Sequence, residues 1–497
     1  MSLIGKLTDI LAESRAEYEE IMSGNGSEFR VDSMFGADAH GGFSSDMNSE
    51  LRGADSAPDG NLLAVGDNTA FMRWLMHECG MAGKVQLIYI DPPFYSRANY
   101  GSEIKLSSEK LGKMPAMKQI AYTDSWQEGT FEYLKMLCTR FYMMRDLLSE
   151  EGCLWVHLDW HIVHYVKVLL DEIFGEKNFI NEVIWNYKSG GSSKKHYARK
   201  HDTLLFYAKS PKYYFAAQKE KSYNRGYKPY RFKGVKEYRD ETGWYTMVNM
   251  KDVWQLDMVG RTSSERTGYA TQKPEALIAR ILESCTREGD VVCDFFGGSG
   301  TLASAADKMG RKWIYCDLGS LAASSAKKRM VGNGSSFSVL VQNGHKAADT
   351  CDIEVGIDIS DAGAASGKLL TAELLGYRAN ENSVIPVDEK NLKILRGAMN
   401  KDPLRFIDFW SIDYSYDGKV HRADDVFCRE KGVMVTSGGR LVQAEEDSGK
   451  SPGTYGKGFV SEHGKNAGIG ADTCRRAISI KAHDIFGNTA EKIMYIK

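Results

Sequence analysis

The sequence predicts an α/β fold: a doubly wound, mostly parallel sheet carrying an insert and followed by a β-rich C-terminal region. Two apolar runs and a charge anomaly carry that prediction. Residues 85–90 (Val-Gln-Leu-Ile-Tyr-Ile) show no solvent-facing alternation beyond Gln86, the pattern of a strand buried on both faces. Residues 291–295 form a second such strand, followed by the glycine turn Gly297-Gly298-Ser299-Gly300-Thr301 and a helix. Between them, residues 188–239 hold 15 Lys+Arg against 3 Asp+Glu, a net charge of +12 in a chain whose formal total is −2.

Length and composition set the outer bounds. At 497 residues the chain has room for two or three domains with proper cores. A hydrophobic content of 42% and a charged content of 26% are ordinary for a soluble protein. No run of about 18 apolar residues and no signal-peptide pattern occurs, so a cytoplasmic protein without membrane contact is expected. Nine scattered cysteines without a CxxC pair point to reduced core thiols rather than zinc or disulfides.

Residues 1–60 read as an N-terminal helix (1–22) and a flexible Gly/Ser/Asp/Asn-rich linker (23–60), with folded structure beginning at Asn61. The sequence leaves open whether that helix packs on the main domain or on a second subunit. Residues 61–187 form the first half of the α/β domain: strand 62–65, helix 69–80, strand 85–90, a polar Lys-rich loop from Tyr95 to Gln127 long enough for a lid, helix 131–148, strand 154–158, helix 161–174 and strand 180–185. Residues 188–265 are the insert, and within its basic stretch, 188–239, 11 aromatics interleave with the cations, a mixture suited to neutralising phosphates and stacking on bases. Residues 266–335 resume the α/β pattern, with helix 274–285, strand 291–295, helix 302–309 and strand 313–316. Residues 340–497 read as a separate β-rich domain with core strands at 407–410 and 478–480, a helix at 389–399 and a long loop at 437–470.

Two places carry chemistry. The strand 85–90 delivers Asp91-Pro92-Pro93-Phe94 to the carboxyl edge of the sheet, where open α/β folds bind ligands. Prolines fix φ and have no N–H, so this turn presents acceptors, the Asp91 carboxylate and the Pro92 carbonyl, beside a flat ring. That set suits a planar substrate bearing an –NH₂ group. The second place is Asp294-Phe295-Phe296-Gly297-Gly298-Ser299-Gly300-Thr301, whose helix start offers N–H groups to a polar ligand. Asp317, 20 residues beyond Gly297, can accept from two ribose hydroxyls. Gly298 to Ala303 also matches the dinucleotide fingerprint G-x-G-x-x-A, so this region alone does not separate a nicotinamide enzyme from one using S-adenosylmethionine. No Gly-Lys-Ser/Thr follows, which excludes a P-loop. His157 and His161 have HxxxH spacing, but strand and turn separate them, so no metal site is assigned and the histidines read as polar fillers or DNA contacts.

Asp-Pro-Pro-Phe followed by Phe-Gly-Gly-Ser-Gly-Thr, in that chain order, resembles the amino-methyltransferases of DNA bases in their permuted β class. Further segments resemble that class: Gly66-Asp67-Asn68, Tyr122-Thr-Asp124-Ser-Trp126, Val156-His-Leu-Asp159, Asn181-Glu-Val-Ile-Trp185 and Thr271-Gln-Lys273-Pro274. The nearest look-alikes are modification subunits of type III restriction systems and related stand-alone enzymes; the 188–265 segment is shorter than the insert usual in the former. The resemblance implies an S-adenosylmethionine-dependent methyltransferase fold, with the insert choosing the target. It implies catalytic roles for Asp91, Pro92, Pro93 and Phe94. It implies cofactor contacts from Asp67 near the adenine, from Lys273 near the methionine part, and from Asp294, Phe296, Gly297, Gly298, Ser299, Gly300, Thr301 and Asp317. Asp rather than Ser at position 91 favours adenine N6, with cytosine N4 the alternative. Double-stranded DNA is the implied substrate; a second copy of the chain and a nuclease or translocase subunit are candidate partners. Two other readings stand beside it. A catalytically silent DNA-recognition subunit conflicts with the intact motifs, and a nicotinamide oxidoreductase leaves DPPF and the basic segment without a role.

Overall fold

A computed structural model describes residues 3–496 except 27, 37–59, 97, 105, 107–110, 113, 116, 125–128, 189–191, 345–350, 362–367, 380–388, 431–432 and 435–475. Trp126 and the 437–470 loop therefore lie outside the described residues, as does most of the 23–60 linker.

One sheet organises the chain. Its strands lie in the order Val253–Gln255, Phe179–Asn186, His201–Ala208, Leu148–Leu158, Val85–Ile90, Val291–Asp294, Lys312–Asp317, Asn61–Val65, Phe337–Gln342, Phe29–Phe35 and His421–Arg422. The six from Leu148–Leu158 to Phe337–Gln342 are mutually parallel, whereas His201–Ala208 runs antiparallel to both its neighbours. Every residue of Val85–Ile90 is buried, and alternate side chains serve opposite faces: Ile88 and Ile90 join one core, Leu87 and Tyr89 the other. Gln86, expected as the solvent-facing exception, is also buried. Its amide donates to the carbonyls of Glu151 (3.0 Å) and Cys285 (3.1 Å), which satisfies a polar group inside the sheet.

Helices Asn68–His77, Thr130–Leu147 and Val163–Phe174 cover one face, and Glu275–Cys285, Thr301–Lys308 and Ser320–Asn333 the other. From Val85–Ile90 the chain crosses to Leu148–Leu158 on one side; from Val291–Asp294 it crosses to Lys312–Asp317 on the other. The winding thus reverses between two adjacent strands, and a crevice opens at their carboxyl ends.

Several expectations need correction. The linker is not structureless throughout: Phe29–Phe35 pairs antiparallel with Phe337–Gln342, burying Phe35 and Met34. Folded structure accordingly begins before Asn61. The N-terminal helix Leu7–Ser23 packs on Thr130–Leu147 of the same chain, with Ile10 buried and the Ser14 hydroxyl donating to the Lys135 carbonyl at 3.2 Å. The supposed lid loop holds a hairpin, Asn99–Ile104 with Met117–Thr123. The basic insert is not one module, because His201–Ala208 and Val253–Gln255 belong to the main sheet; Lys219–Tyr223, Glu237–Arg239 and Trp244–Asn249 form a small sheet of their own.

The C-terminal region is not separate either. Residue 340 falls inside a main-sheet strand, and His421–Arg422 adds a further one. Phe409 packs in the main core, and the Lys481 ammonium reaches the Asp32 carboxylate at 3.0 Å. Ile104, Leu106 and Met117 of the hairpin share a core with Phe406, Trp410 and Ile480, so the tail braces the chain that follows Asp91.

Candidate active site

The Asp91 turn and the glycine turn leave adjacent parallel strands and wall a common cavity of about 380 Å³, within the range of small-ligand sites. The wall includes Asp91, Pro93, Asp294, Phe296, Gly297, Gly298, Ser299, Thr301 and Asp317. Asp67 and Lys273 line it as well. Pro92, Phe94 and Gly300 do not appear in the wall: Gly300 sits at φ 72° capping the helix behind it, and Phe94 stacks on His157 with ring centroids 5.8 Å apart.

The turn after Phe94 is held under strain. Tyr95 adopts φ 60°, a left-handed conformation that side chains seldom take. Asp124 compensates by accepting from the Tyr95 N–H (3.0 Å), the Ser96 N–H (2.7 Å) and the Ser96 hydroxyl (2.7 Å). The Tyr133 hydroxyl donates to the Pro93 carbonyl. Asp124 and Tyr133 thus fix the direction in which Asp91 points. Of the Asp91 carboxylate, Oδ2 receives the Lys273 ammonium, while Oδ1 is buried without a hydrogen-bond partner among the described residues. An unpartnered buried acceptor costs free energy, and a native site holding one calls for an explanation.

The glycine turn is shaped by close approach. A Cβ on Gly297 would stand 2.1 Å from the Tyr315 ring, and Gly298 at φ 48° prefers a residue without one. The Tyr315 hydroxyl donates to the Gly298 carbonyl at 2.9 Å. Asp317 accepts the Gly298 N–H (2.9 Å) through one carboxylate oxygen and the Gly319 N–H (2.8 Å) through the other, leaving each oxygen further acceptor capacity. Burial raises the Asp317 carboxyl above its ordinary value, and burial raises that of Asp294 well above.

Two wall residues expected to touch the cofactor also hold partners within the protein. Asp67 is the N-cap of Asn68–His77: its Oδ1 accepts from the N–H groups of Thr69 (2.9 Å) and Ala70 (3.0 Å), and Arg140 lies 3.5 Å from Oδ2. Lys273 is drawn to Asp91, and its Nζ lies 5.1 Å from the centre of the Phe94 ring. Sequence reasoning passed over Arg140, Asn68, Tyr89, Tyr269 and Leu318, all in the wall. Arg140 donates to Asn68 Oδ1 at 2.7 Å, and Asn68 donates to the Phe295 carbonyl at 2.8 Å, tying the helix to the glycine turn. Asn68 alone carried a local signal, its place in Gly66-Asp67-Asn68.

His157 is a buried filler with both nitrogens partnered, Nδ1 to the Tyr89 hydroxyl (2.9 Å) and Nε2 to Asp202 (3.2 Å). His161 is paired with Asp159 at 2.6 Å.

A mostly parallel sheet, a switch-point cavity, a glycine turn and an acid at the end of the next strand are the features of the S-adenosylmethionine-dependent methyltransferase fold that the sequence resemblance implies. Residues 85–328 match the family model described as DNA methylase. Type II methyltransferase M.EcaI of Enterobacter cloacae is 28% identical over 342 residues, 56% of this chain and 72% of that protein. DNA adenine methyltransferase YhdJ of Escherichia coli is 26% identical over 246 residues, 48% and 74% respectively. The type III restriction-modification enzyme EcoP15I Mod subunit of Escherichia coli is 26% identical over 159 residues, 30% of this chain but 24% of that subunit. Over its α/β half the chain thus resembles DNA methyltransferases, the Mod subunits among them. No described helix is long and apolar enough to cross a membrane.

Proposed function

We propose that the chain methylates the exocyclic N6 of adenine at specific sites in duplex DNA. The observation that carries this is the buried, unpartnered Oδ1 of Asp91 beside a cavity shared with the glycine turn. The residues present fit the cofactor: the carboxylate of Asp317 can accept from ribose hydroxyls, the close-packed glycines leave room beside the backbone, and exposed Leu318 offers an apolar cover. Of the two cations in the wall, Lys273 is in close contact with Asp91 whereas Arg140 lies a looser 3.5 Å from Asp67, so Arg140 is our candidate for the methionine carboxylate. When bound, the cofactor supplies an electrophilic sulfonium methyl whose leaving group needs no proton.

The chain then has one task, to make a poor nucleophile adequate. The lone pair of an adenine amine is delocalised into the ring. Hydrogen bonds accepted by Asp91 Oδ1 and the Pro92 carbonyl favour a pyramidal nitrogen with its lone pair free; no acid or covalent nucleophile is required, and the proton the amine sheds on methylation would pass to the Asp91 carboxylate or to water. Positioning and electrostatics supply the acceleration. A base inside a duplex cannot reach this cavity and must be flipped out, at a cost of a few kcal/mol. Phe94, braced by His157, is the stacking surface we assign to it.

Target choice is assigned to the small sheet. Glu237 accepts from the N–H groups of Tyr230 and Arg231, both at 2.8 Å, and so pins a loop that presents Arg231 and the 62%-exposed Phe232. Asp at position 91 supports adenine over cytosine, as does the relative whose name specifies adenine. The resemblance to a Mod subunit supports a restriction subunit as partner. Incubation with tritiated S-adenosylmethionine and unmethylated plasmid DNA, digestion to nucleosides and chromatography tests the reading. Label on N6-methyladenine that vanishes in Asp91→Ala supports it; label on N4-methylcytosine changes the base, and no label overturns it.

A further inference from the structure

We propose that Lys273 is a positioning residue for the catalytic carboxylate and not a ligand of the cofactor. This rests on the reading of Asp91 given above. The Lys273 and Asp91 side chains are 8% and 19% exposed, so the pair is formed largely out of water. The ammonium takes Oδ2 and thereby leaves Oδ1 as the acceptor for the amine.

The lysine's own backbone is fixed from several directions. Thr271 sits at φ 57°, and its hydroxyl lies 3.3 Å from that of Tyr122 on the hairpin. The Gly268 carbonyl accepts from the Glu103 N–H at 3.0 Å. The Lys273 carbonyl accepts from the Thr301 hydroxyl at 3.2 Å, at the start of the glycine-turn helix. One short segment therefore connects hairpin, cofactor turn and catalytic carboxylate, and its ammonium is the part that touches the reacting end.

The other ionisable groups whose charge reaches Asp91 are the phenols Tyr89, Tyr122, Tyr133 and Tyr269 and a second acid, Asp294, so none of these is a cation that could replace Lys273. The Lys273 charge also reaches Asp202. Removing the cation would free Oδ2 and let the carboxylate turn, so that Oδ1 is no longer held toward the amine.

The experiment is methyl transfer to plasmid DNA by Lys273→Met and Lys273→Arg, beside calorimetric titration with S-adenosylmethionine. For Lys273→Met we expect kcat to fall at least about tenfold while cofactor Kd stays within about threefold. Lys273→Arg, which keeps the cation, should recover part of kcat, a result that does not depend on the Met variant folding. A cofactor Kd raised with kcat at saturation unchanged, or an Arg variant that recovers nothing although folded and cofactor-bound, overturns the proposal while leaving the methyltransferase reading intact. A wild-type protein that binds cofactor but labels no DNA overturns both.

Discussion

Asp317 joins the two turns that frame one end of the cavity, accepting the Gly298 N–H at 2.9 Å while its other oxygen accepts the Gly319 N–H at 2.8 Å. The carboxylate therefore both shapes the glycine turn and stands ready for a diol. Asp317→Ala should weaken S-adenosylmethionine binding at least about tenfold, since a hydrogen bond to a charged group is worth about 1.5–3 kcal/mol. Its raised carboxyl pKa, caused by burial, fixes the sign of the pH dependence. Affinity should fall on acidification from a higher pH than an ordinary carboxylate near about 3.9 would allow, because protonation removes an acceptor. Calorimetry across pH checks both; affinity flat through the acid range contradicts the assignment.

Gly297→Ala places a Cβ 2.1 Å from the Tyr315 ring. The ring is buried and its hydroxyl holds the Gly298 carbonyl, so it has little freedom to retreat. Overpacking of this kind costs about 1–3 kcal/mol, and here it falls on the turn we assign to the cofactor. Cofactor affinity should drop by about an order of magnitude or more, measured by the same titration, with a modest loss in Tm. Unchanged affinity would mean that the turn does not contact the cofactor.

Glu237→Gln should loosen the loop that carries Arg231 and Phe232, because a neutral amide accepts less strongly from two N–H groups. DNA affinity at fixed salt should fall severalfold while cofactor affinity holds. Fluorescence anisotropy with a duplex containing the methylated motif, once sequencing has identified it, measures this. A loss equal on non-specific DNA would argue for a phosphate contact rather than target reading.

Trp160 is 42% exposed and carries the Arg199 guanidinium 3.7 Å from its ring centre. It follows the Leu148–Leu158 strand, which pairs Val156 with Ile90, so it leaves the same sheet edge as Asp91. An aromatic there is placed to hold an opened base step. Trp160→Ala should lower methylation of duplex DNA severalfold and spare heat-denatured DNA, where no base needs unstacking. Equal losses on both substrates would rule out that role.

Much of this site was legible because its signals are local. The buried runs at 85–90 and 291–294, each with its turn attached, place Asp91 and Gly297 at strand ends without help from the rest of the chain. What escaped depended on distant partners. The Phe29–Phe35 strand lies in a polar stretch and is defined by pairing with residues 337–342. Lys273 meets Asp91 across 182 residues of sequence, so its partner could not be read from its neighbours. The hairpin after Asp91 looked like a loop because its strands are polar and its buried Ile104 and Met117 pack on the tail, far along the chain. Asp67 is different: Asp-Asn-Thr before an apolar helical run is an N-cap signal that was present and given another meaning.

The central claim is that Asp91 acts on the amine and not on the cofactor. Single-turnover transfer of tritiated methyl from saturating S-adenosylmethionine to unmethylated plasmid DNA, comparing wild type with Asp91→Asn, tests it most directly. Transfer should fall by about 10²–10³ or more while cofactor affinity stays within a few fold, as expected when one preorganised polar group is lost from the reacting centre. Transfer at the wild-type rate, or a loss explained wholly by weaker cofactor binding, would contradict it.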